Sequence, residues 1–315
     1  MISSQTAPSP TMAESGHRPQ LSVVIPWTSG PESLAACLRA LEDQTMKLPV
    51  EVIVLSSGQA SGTDLSGQLP PHAKLLAFPQ RKSIPELRAI GMRQSEGAIV
   101  VIIEDHCNAE PHWYERILRA HETRYGVIGG AVENDPSITR VVDWAVFFCE
   151  YSRYMNPVPD GEVSDIPGNN ASYRREFLVH IADLLDAGCS WESALHARLR
   201  ERGVKLYSDP SIILYHKKEF GLGYFLGQRY HYSRSFAGAR VAQQSVWRRL
   251  LCAASCIFLP LLLMARISWR VLSKKRHLDK FVLAVPLLAL FSAIWAGGEW
   301  AGYLFGPGKS LLYVE

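Results

Sequence analysis

The 315-residue sequence predicts an α/β domain over residues 21–240, a mainly parallel sheet flanked by helices, followed by membrane-associated helices over residues 241–315. Three observations carry that prediction. Near-continuous apolar runs alternate with segments of helical period, the pattern of strands buried on both faces of a parallel sheet. Apolar content is 47% overall, but the excess is concentrated in two long stretches, Leu250–Ala265 and Phe281–Gly298. Residues 1–20, rich in Ser, Thr and Pro without an apolar run, read as a disordered tail rather than a signal peptide, so the folded region is expected in the cytosol.

The elements follow in order. "LSVVIPW" (Leu21–Trp27) is a buried strand that closes on Pro26 and Trp27. Glu32–Gln44 places Leu34, Ala35, Leu38 and Leu41 at helical spacing. "VEVIVLSSG" (Val50–Gly58) is a second strand running into a Ser/Gly turn, and Ala73–Phe78 a third. Ser83–Ser95 reads as a helix with Ser83 as its cap and Pro85 in its first turn. "GAIVVIIED" (Gly97–Asp105) is a strand whose apolar run gives way to Glu104, Asp105 and His106. Open α/β sheets place ligands at such strand ends. Beyond it come an amphipathic helix from Trp113, a strand and turn over Tyr125–Asp135, an aromatic helix over Asp143–Tyr154, and a loop into a helix over Ser164–Leu178. Trp191–Gly203 is a helix with Leu195 and Leu199 inward and Gly203 as its stop. "VKLYSDPSIILYHKK" reads as a strand pair joined by an Asp-Pro turn.

Composition narrows the function. A net charge of +3 is too small to argue for nucleic acid. No GxGxxG follows the first strand, and "GLGYFLG" (Gly221–Gly227) has the wrong spacing and context for a dinucleotide fingerprint. The six cysteines, Cys37, Cys107, Cys149, Cys189, Cys252 and Cys256, form no CxxC, which disfavours a zinc ribbon or redox pair and suits reduced thiols. The sequon Asn170-Ala171-Ser172 is a short chance match.

From Leu21 to about Arg234 the chain resembles the family 2 glycosyltransferases, inverting enzymes with the GT-A fold. "SVVIPW" with "LRALEDQT" resembles the family's opening strand and helix. "PELRAIGMRQSEGAIVVIIED" resembles its "ARNxGxxxAxGxxIxFLDxD" stretch, "GNNASYRREFL" its acceptor-side loop, and "WESALHARLRERGVKLYSDPSIILYH" its base helix and terminal strand. The resemblance implies transfer of a sugar from a nucleotide-sugar donor to a lipid-linked or glycan acceptor. It also implies a divalent cation, Mn²⁺ or Mg²⁺, where the leaving diphosphate accumulates charge. Glu104-Asp105-His106 stands where the family carries Asp-x-Asp. Glu104 and His106 are then the metal ligands and Asp105 a further donor-side group. Imidazole suits Mn²⁺ better than Mg²⁺. Pro26, Ser56, Ser57 and Arg88 take donor-binding positions. Where the family often has an Asp that reads the base, Ser56-Ser57 carries no charge, so the base stays open among UDP, GDP and dTDP with UDP favoured. Glu192 is the implied general base, which takes the acceptor's proton. Asn169, Asn170 and Arg174 are acceptor candidates. Gln228–Tyr232 lacks the Gln-x-x-Arg-Trp pattern of processive members.

Basic residues surround the apolar tail, among them Lys217–Lys218, Arg248–Arg249, Arg266, Arg270 and Lys274–Lys275–Arg276. That pattern suits an anionic membrane surface. Leu250–Ala265 is short for a span and is interrupted by Pro260, whereas Phe281–Gly298 is long enough. Two spans would put the basic loop Arg266–Lys280 outside, against the positive-inside tendency. A re-entrant or interfacial first segment keeps it on the cytoplasmic face of the cell membrane. The reading is a membrane-attached glycosyltransferase. Its alternative is an inactive relative that binds sugar nucleotide or partners in polysaccharide assembly, suggested by the altered residues Ser56, Ser57, His106 and Trp191.

Overall fold

A computed structural model of the chain describes residues 19–45, 49–58, 69–70, 73–187 and 191–314. The expected N-terminal tail lies outside them up to residue 18, as does Cys189. β1 (Leu21–Trp27), β2 (Val50–Ser57), β3 (Ala73–Phe78) and β4 (Ile99–Ile102) form a parallel half-sheet in the order β3-β2-β1-β4. Alternate residues of each strand enter different cores. Val23, Ile25, Val52, Val54 and Val101 pack against α1 (Pro31–Thr45) and α3 (Trp113–Ala120). Val24, Ile53, Leu55, Val100 and Ile102 pack against α2 (Ile84–Gln94), α5 (Ala182–Ala187) and α6 (Glu192–Glu201). Two buried faces explain why the strand sequences show no polar alternation. Ser83 caps α2 in a reciprocal box: its Oγ accepts the Glu86 N–H, and Glu86 Oε2 accepts the Ser83 N–H at 2.8 Å.

The second half of the sheet is mixed. β8 (Ala171–Arg174) pairs antiparallel with both β4 and β6 (Val127–Asn134), and β6 pairs parallel with β9 (Leu206–His216). Two short strands, β5 (Cys107–Ala109) and β7 (Gly161–Val163), pair antiparallel with β9. The expected strand pair over 204–218 is instead this single strand β9. The register with β6 shifts between Gly129 and Ala131, so residues 209–212 bulge out of the ladder. The Asp-Pro signal therefore marks a bulge: Asp209 Oδ1 accepts from Ser211 N at 2.8 Å and Ser211 Oγ at 2.7 Å.

The aromatic helix α4 (Val141–Tyr151) and α7 (Leu222–Arg240) carry the sheet over to a helical layer of α8 (Val246–Ser255), α9 (Leu259–Lys274) and α10 (Leu278–Phe305). A three-residue 3-10 turn, Cys256–Phe258, separates α8 from α9 just before Pro260. By length and composition, Val246–Lys274 and Leu278–Phe305 are each sufficient to cross a membrane. This layer shares a core with the sheet domain, in which Val132, Phe147, Phe148 and Phe225 meet Val271, Phe281, Leu288 and Phe291.

Candidate active site

Glu104, Asp105 and His106 follow β4 where the ladder ends, at the carboxyl end of the parallel half-sheet. Asp105 is fully buried. Its Oδ2 accepts the backbone N–H groups of Thr28 at 2.7 Å and Ser29 at 2.6 Å, which stitches the end of β4 to the turn after β1. Its Oδ1 lies 2.8 Å from His106 Nδ1. A carboxylate can only accept, so this contact assigns the Nδ1 proton of His106 and leaves Nε2 facing the site.

Three ligand atoms converge there. His106 Nε2 lies 3.1 Å from His216 Nε2 and 3.4 Å from Glu104 Oε2, and one ligand atom from each of the three residues falls within 4.8 Å of the others. His216 is the last residue of β9, brought to this point by its antiparallel pairing with Cys107. Burial, reinforced by His106, holds His216 well below the ordinary imidazole value and keeps it neutral. Burial opposes charge on Glu104, but the hydrogen bond and charge of His106, with the charge of Arg88, outweigh it and hold the carboxyl well below its usual range. Among the described residues, the two imidazole nitrogens meet each other and the Glu104 carboxylate. A divalent cation placed there satisfies all three, so the donor set fits one, and its two nitrogens favour Mn²⁺ over Mg²⁺.

Arg88 joins this cluster to the other side of the cleft. It is buried on α2, with Nη2 3.0 Å from Glu104 Oε1 and Nη1 paired with Glu192 Oε1. Glu104 Oε2 also accepts from Tyr151 Oη and Asn169 Nδ2, each at 3.1 Å. Glu192 opens α6, and a Cβ on Gly168 would lie 2.7 Å from its side chain, so only glycine leaves it room. Trp191, one residue earlier, packs on Tyr232 of α7, ring centroids 4.5 Å apart.

The cluster stands between two cavities. Pro26, Arg88, Glu104, Trp191, Arg229 and Tyr232 are among the walls of an inner one of about 130 Å³. Ser29, Ser33, Asn108, Ser137 and Lys217 line an open trough of about 710 Å³, and Thr28, His106 and Lys218 border both. Val314 closes part of the inner cavity, and the neighbouring Tyr313 ring lies 5.8 Å from the Arg81 guanidinium.

The expected residues divide. Glu104, Asp105, His106, Arg88, Glu192, Asn169 and Pro26 gather at the cleft. Ser57 ends β2 with its Oγ accepting the Lys82 N–H at 3.1 Å, and Ser56 Oγ is buried among the described residues without a partner. Asn170 is tied into the fold: its Oδ1 accepts from Trp113 Nε1 at 3.0 Å and its Nδ2 donates to Ala131 O and Ile212 O. Those bonds also bury the sequon asparagine. Arg174 points away from the cleft, because antiparallel β8 runs it alongside Ile99 at the start of β4, where it donates to His121 O and Thr123 O. Sequence reasoning missed His216, Tyr151 and Lys218 as site groups. The charged "HKK" beyond the last strand was the available signal for two of them, whereas Tyr151 is hidden among the aromatics of α4.

The family model for glycosyl transferase family 2 matches residues 22–181. Over 121 residues the chain is 30% identical to the glycosyltransferase AglE of Haloferax volcanii, a match that takes in 36% of this chain and 40% of that protein, so the chain spans about two fifths of the curated relative it matches. The fold is similar to that of the mannosyltransferase PcManGT from Pyrobaculum calidifontis, solved in complex with GDP-Man and Mn²⁺. The TM-score is 0.51 at 15% identity, over 94% of this chain and 88% of that one, a likeness of fold.

Proposed function

Because the chain belongs to glycosyl transferase family 2 and carries the GT-A fold, we propose that it is a membrane-attached inverting glycosyltransferase. It moves a sugar from a nucleotide-sugar donor, UDP-linked in the first instance, to a hydroxyl of a lipid-linked or glycan acceptor. The observation that carries this reading is the meeting of Glu104, His106 and His216 with Glu192 across one arginine, Arg88.

In this reading Glu104, His106 and His216 would hold a Mn²⁺ or Mg²⁺ ion. When bound, the ion supplies positive charge against the diphosphate that leaves with the nucleotide. The chain's own residues do the rest. Asp105 fixes the His106 tautomer. Arg88, buried between two carboxylates, holds Glu104 and Glu192 at a set separation. Lys218, on the border of both cavities, adds a cation beside the leaving group. Glu192 accepts the acceptor hydroxyl's proton as its oxygen attacks the anomeric carbon from the face opposite the leaving diphosphate, so configuration inverts. Asn169 keeps Glu104 aligned from the other side. Pro26, a wall of the inner cavity, and Ser57, at the end of β2, are assigned to the donor's nucleoside. Residues 21–240 form the transferase domain, and 241–315 attach it to the cytoplasmic face of the membrane.

A donor screen tests the reading. Thermal shift with UDP, GDP and dTDP, with and without Mn²⁺, followed by Mn²⁺-dependent turnover of the matching sugar nucleotides, is expected to single out UDP. The solved neighbour's complex with GDP-Man makes GDP-mannose the second donor to try. A larger stabilisation by GDP overturns the UDP assignment. Turnover unchanged in Glu104→Ala overturns the site.

A further inference from the structure

Length and hydropathy allow Val246–Lys274 and Leu278–Phe305 to span a bilayer, but the way α10 is held does not fit a crossing. A 28-residue helix is about 42 Å long, and a crossing needs about 30 Å of it in hydrocarbon. The protein grips α10 along that length. Near its start, the ring of His277 meets Trp144 at 4.7 Å and Phe281 meets Phe148 at 5.5 Å, both partners on α4. Midway, Phe291 meets Phe225 at 4.7 Å, and the Arg229 guanidinium lies 4.0 Å from the Trp295 ring centroid. Further on, Gly298 abuts Ser233 and Gly302 abuts Ala237, each too close to admit a Cβ. These contacts run in step, so α7 and α10 lie parallel, and Arg229 of α7 also lines the inner cavity.

Both ends are tied as well. At the α9–α10 turn, Lys274 Nζ donates to Arg153 O at 2.8 Å and Arg276 pairs with Glu133. Past Gly306 the chain doubles back, and Gln228 Nε2 donates to Tyr313 O at 2.9 Å. No 30 Å stretch of α10 is clear of the transferase domain, and a crossing would drag α4 and α7 into the bilayer.

The outer side of the layer is very different. Trp247, Leu251, Phe258, Leu261, Trp269 and Val282 are all at least two-thirds exposed, spread over α8, the Cys256–Phe258 turn, α9 and α10. Between residues 246 and 280 there are eight Arg or Lys and one acid, Asp279. Arg248, Arg266 and Lys275 are exposed among them. A broad apolar face with tryptophans and a cationic fringe is the chemistry of an anionic lipid interface. A protein partner of that breadth would have to cover three helices and match their cationic fringe with acids.

We infer that α8, α9 and α10 form a monotopic layer that lies in one leaflet of an anionic bilayer, apolar side chains immersed, without crossing it. The basic turn Lys274–Arg276 then sits on the same side as the transferase domain, where positive charge is favoured, and the charge conflict of a two-span topology disappears. This deepens the membrane attachment proposed above and does not depend on the donor.

The test uses the full chain and sealed vesicles of phosphatidylcholine with or without 30% phosphatidylglycerol, on the order of a working physiological charge. The chain is expected to float with the anionic vesicles. Replacing Arg248, Arg266 and Lys275 together by Gln should weaken that partition on the order of a hundredfold, at roughly fivefold per charge. Ser273→Cys should react with an impermeant maleimide added from outside intact vesicles, above the background of the unsubstituted chain. Spin labels at Leu261→Cys and Leu290→Cys, midway along the two apolar segments, should report shallow depths, about 5–10 Å into the headgroup–acyl boundary. Ser273→Cys reacting only after detergent, or either label at the bilayer centre, overturns the in-plane placement while leaving attachment standing. Self-association without flotation sinks membrane attachment itself and leaves a second copy as the occupant of the face. Transfer in detergent, read on the same preparation, separates all of these from the fate of the enzyme assignment.

Discussion

Asp105→Asn isolates the residue that sets the tautomer of His106. Asp105 accepts three hydrogen bonds, from Thr28 N, Ser29 N and His106 Nδ1, and an amide cannot reproduce them. If the Asn oxygen keeps the two backbone donors, its NH₂ faces Nδ1. The imidazole proton must then move to Nε2, the atom 3.1 Å from His216 Nε2 and 3.4 Å from Glu104 Oε2. That nitrogen loses the lone pair a cation needs. If the amide turns over, two buried N–H groups face NH₂ at a cost of about 1–3 kcal/mol each. The first arrangement is cheaper, so Mn²⁺ affinity is expected to fall by about 10–100-fold, the usual range for removing the partner of a ligating histidine. The assay is the free-Mn²⁺ signal in electron paramagnetic resonance during titration of the protein without nucleotide, with a thermal melt to show the variant folded. His216→Ala serves as the reference for loss of a ligand. A folded Asp105→Asn protein that binds Mn²⁺ within threefold of the parent refutes the tautomer argument and leaves His106 as a bystander.

Other expectations follow from the same geometry. Glu192→Gln should lower the rate of transfer by about 10²–10⁴-fold while UDP affinity by calorimetry changes by less than about threefold, since Arg88 keeps its contact with Glu104; a comparable fall in affinity would show a binding rather than a base role. Gly91→Ala places a Cβ 2.3 Å from Val24 and 2.9 Å from Leu55, so overpacking of about 1–3 kcal/mol should outweigh its gain in helix propensity in a urea denaturation series. Burial, reinforced by Arg174, lowers His121 to about 3. The unfolded chain binds that proton near pH 6.5, so the His121 contribution is complete above about pH 6.5 and is lost as pH falls toward 3. His121→Gln should flatten the stability profile across that window by up to a few kcal/mol, and an unchanged slope would assign the acid sensitivity to other groups.

Local pattern and spacing made the first half of the protein legible. Alternate residues such as Val23 and Val24 are buried on opposite faces, which a continuous apolar run announces directly. The capping box at Ser83 and the break from apolar to polar at Glu104 are contained within a few residues of chain. Nonlocal pairing was not legible in this way. β8, four residues inserted antiparallel between β4 and β6, and β5, three residues on β9, are too short to carry a period of their own. Asn170 and Arg174 shared a polar loop with Asn169 in the sequence, yet only Asn169 reaches Glu104, because the strand that begins just after it carries Arg174 toward the far end of the sheet.

The sequence by itself determined the parallel half of the sheet, the helices that cover it, the family and the acidic end of β4, because each depends on short-range periodicity or on residues in fixed order. Tertiary structure alone decided that His216 meets Glu104 and His106 across 110 residues of chain, that Arg88 couples Glu104 to Glu192, and that α10 is clasped along its length by α4 and α7. Hydropathy measures what a helix can enter. Which side of it remains free to do so depends on packing partners distant in the chain.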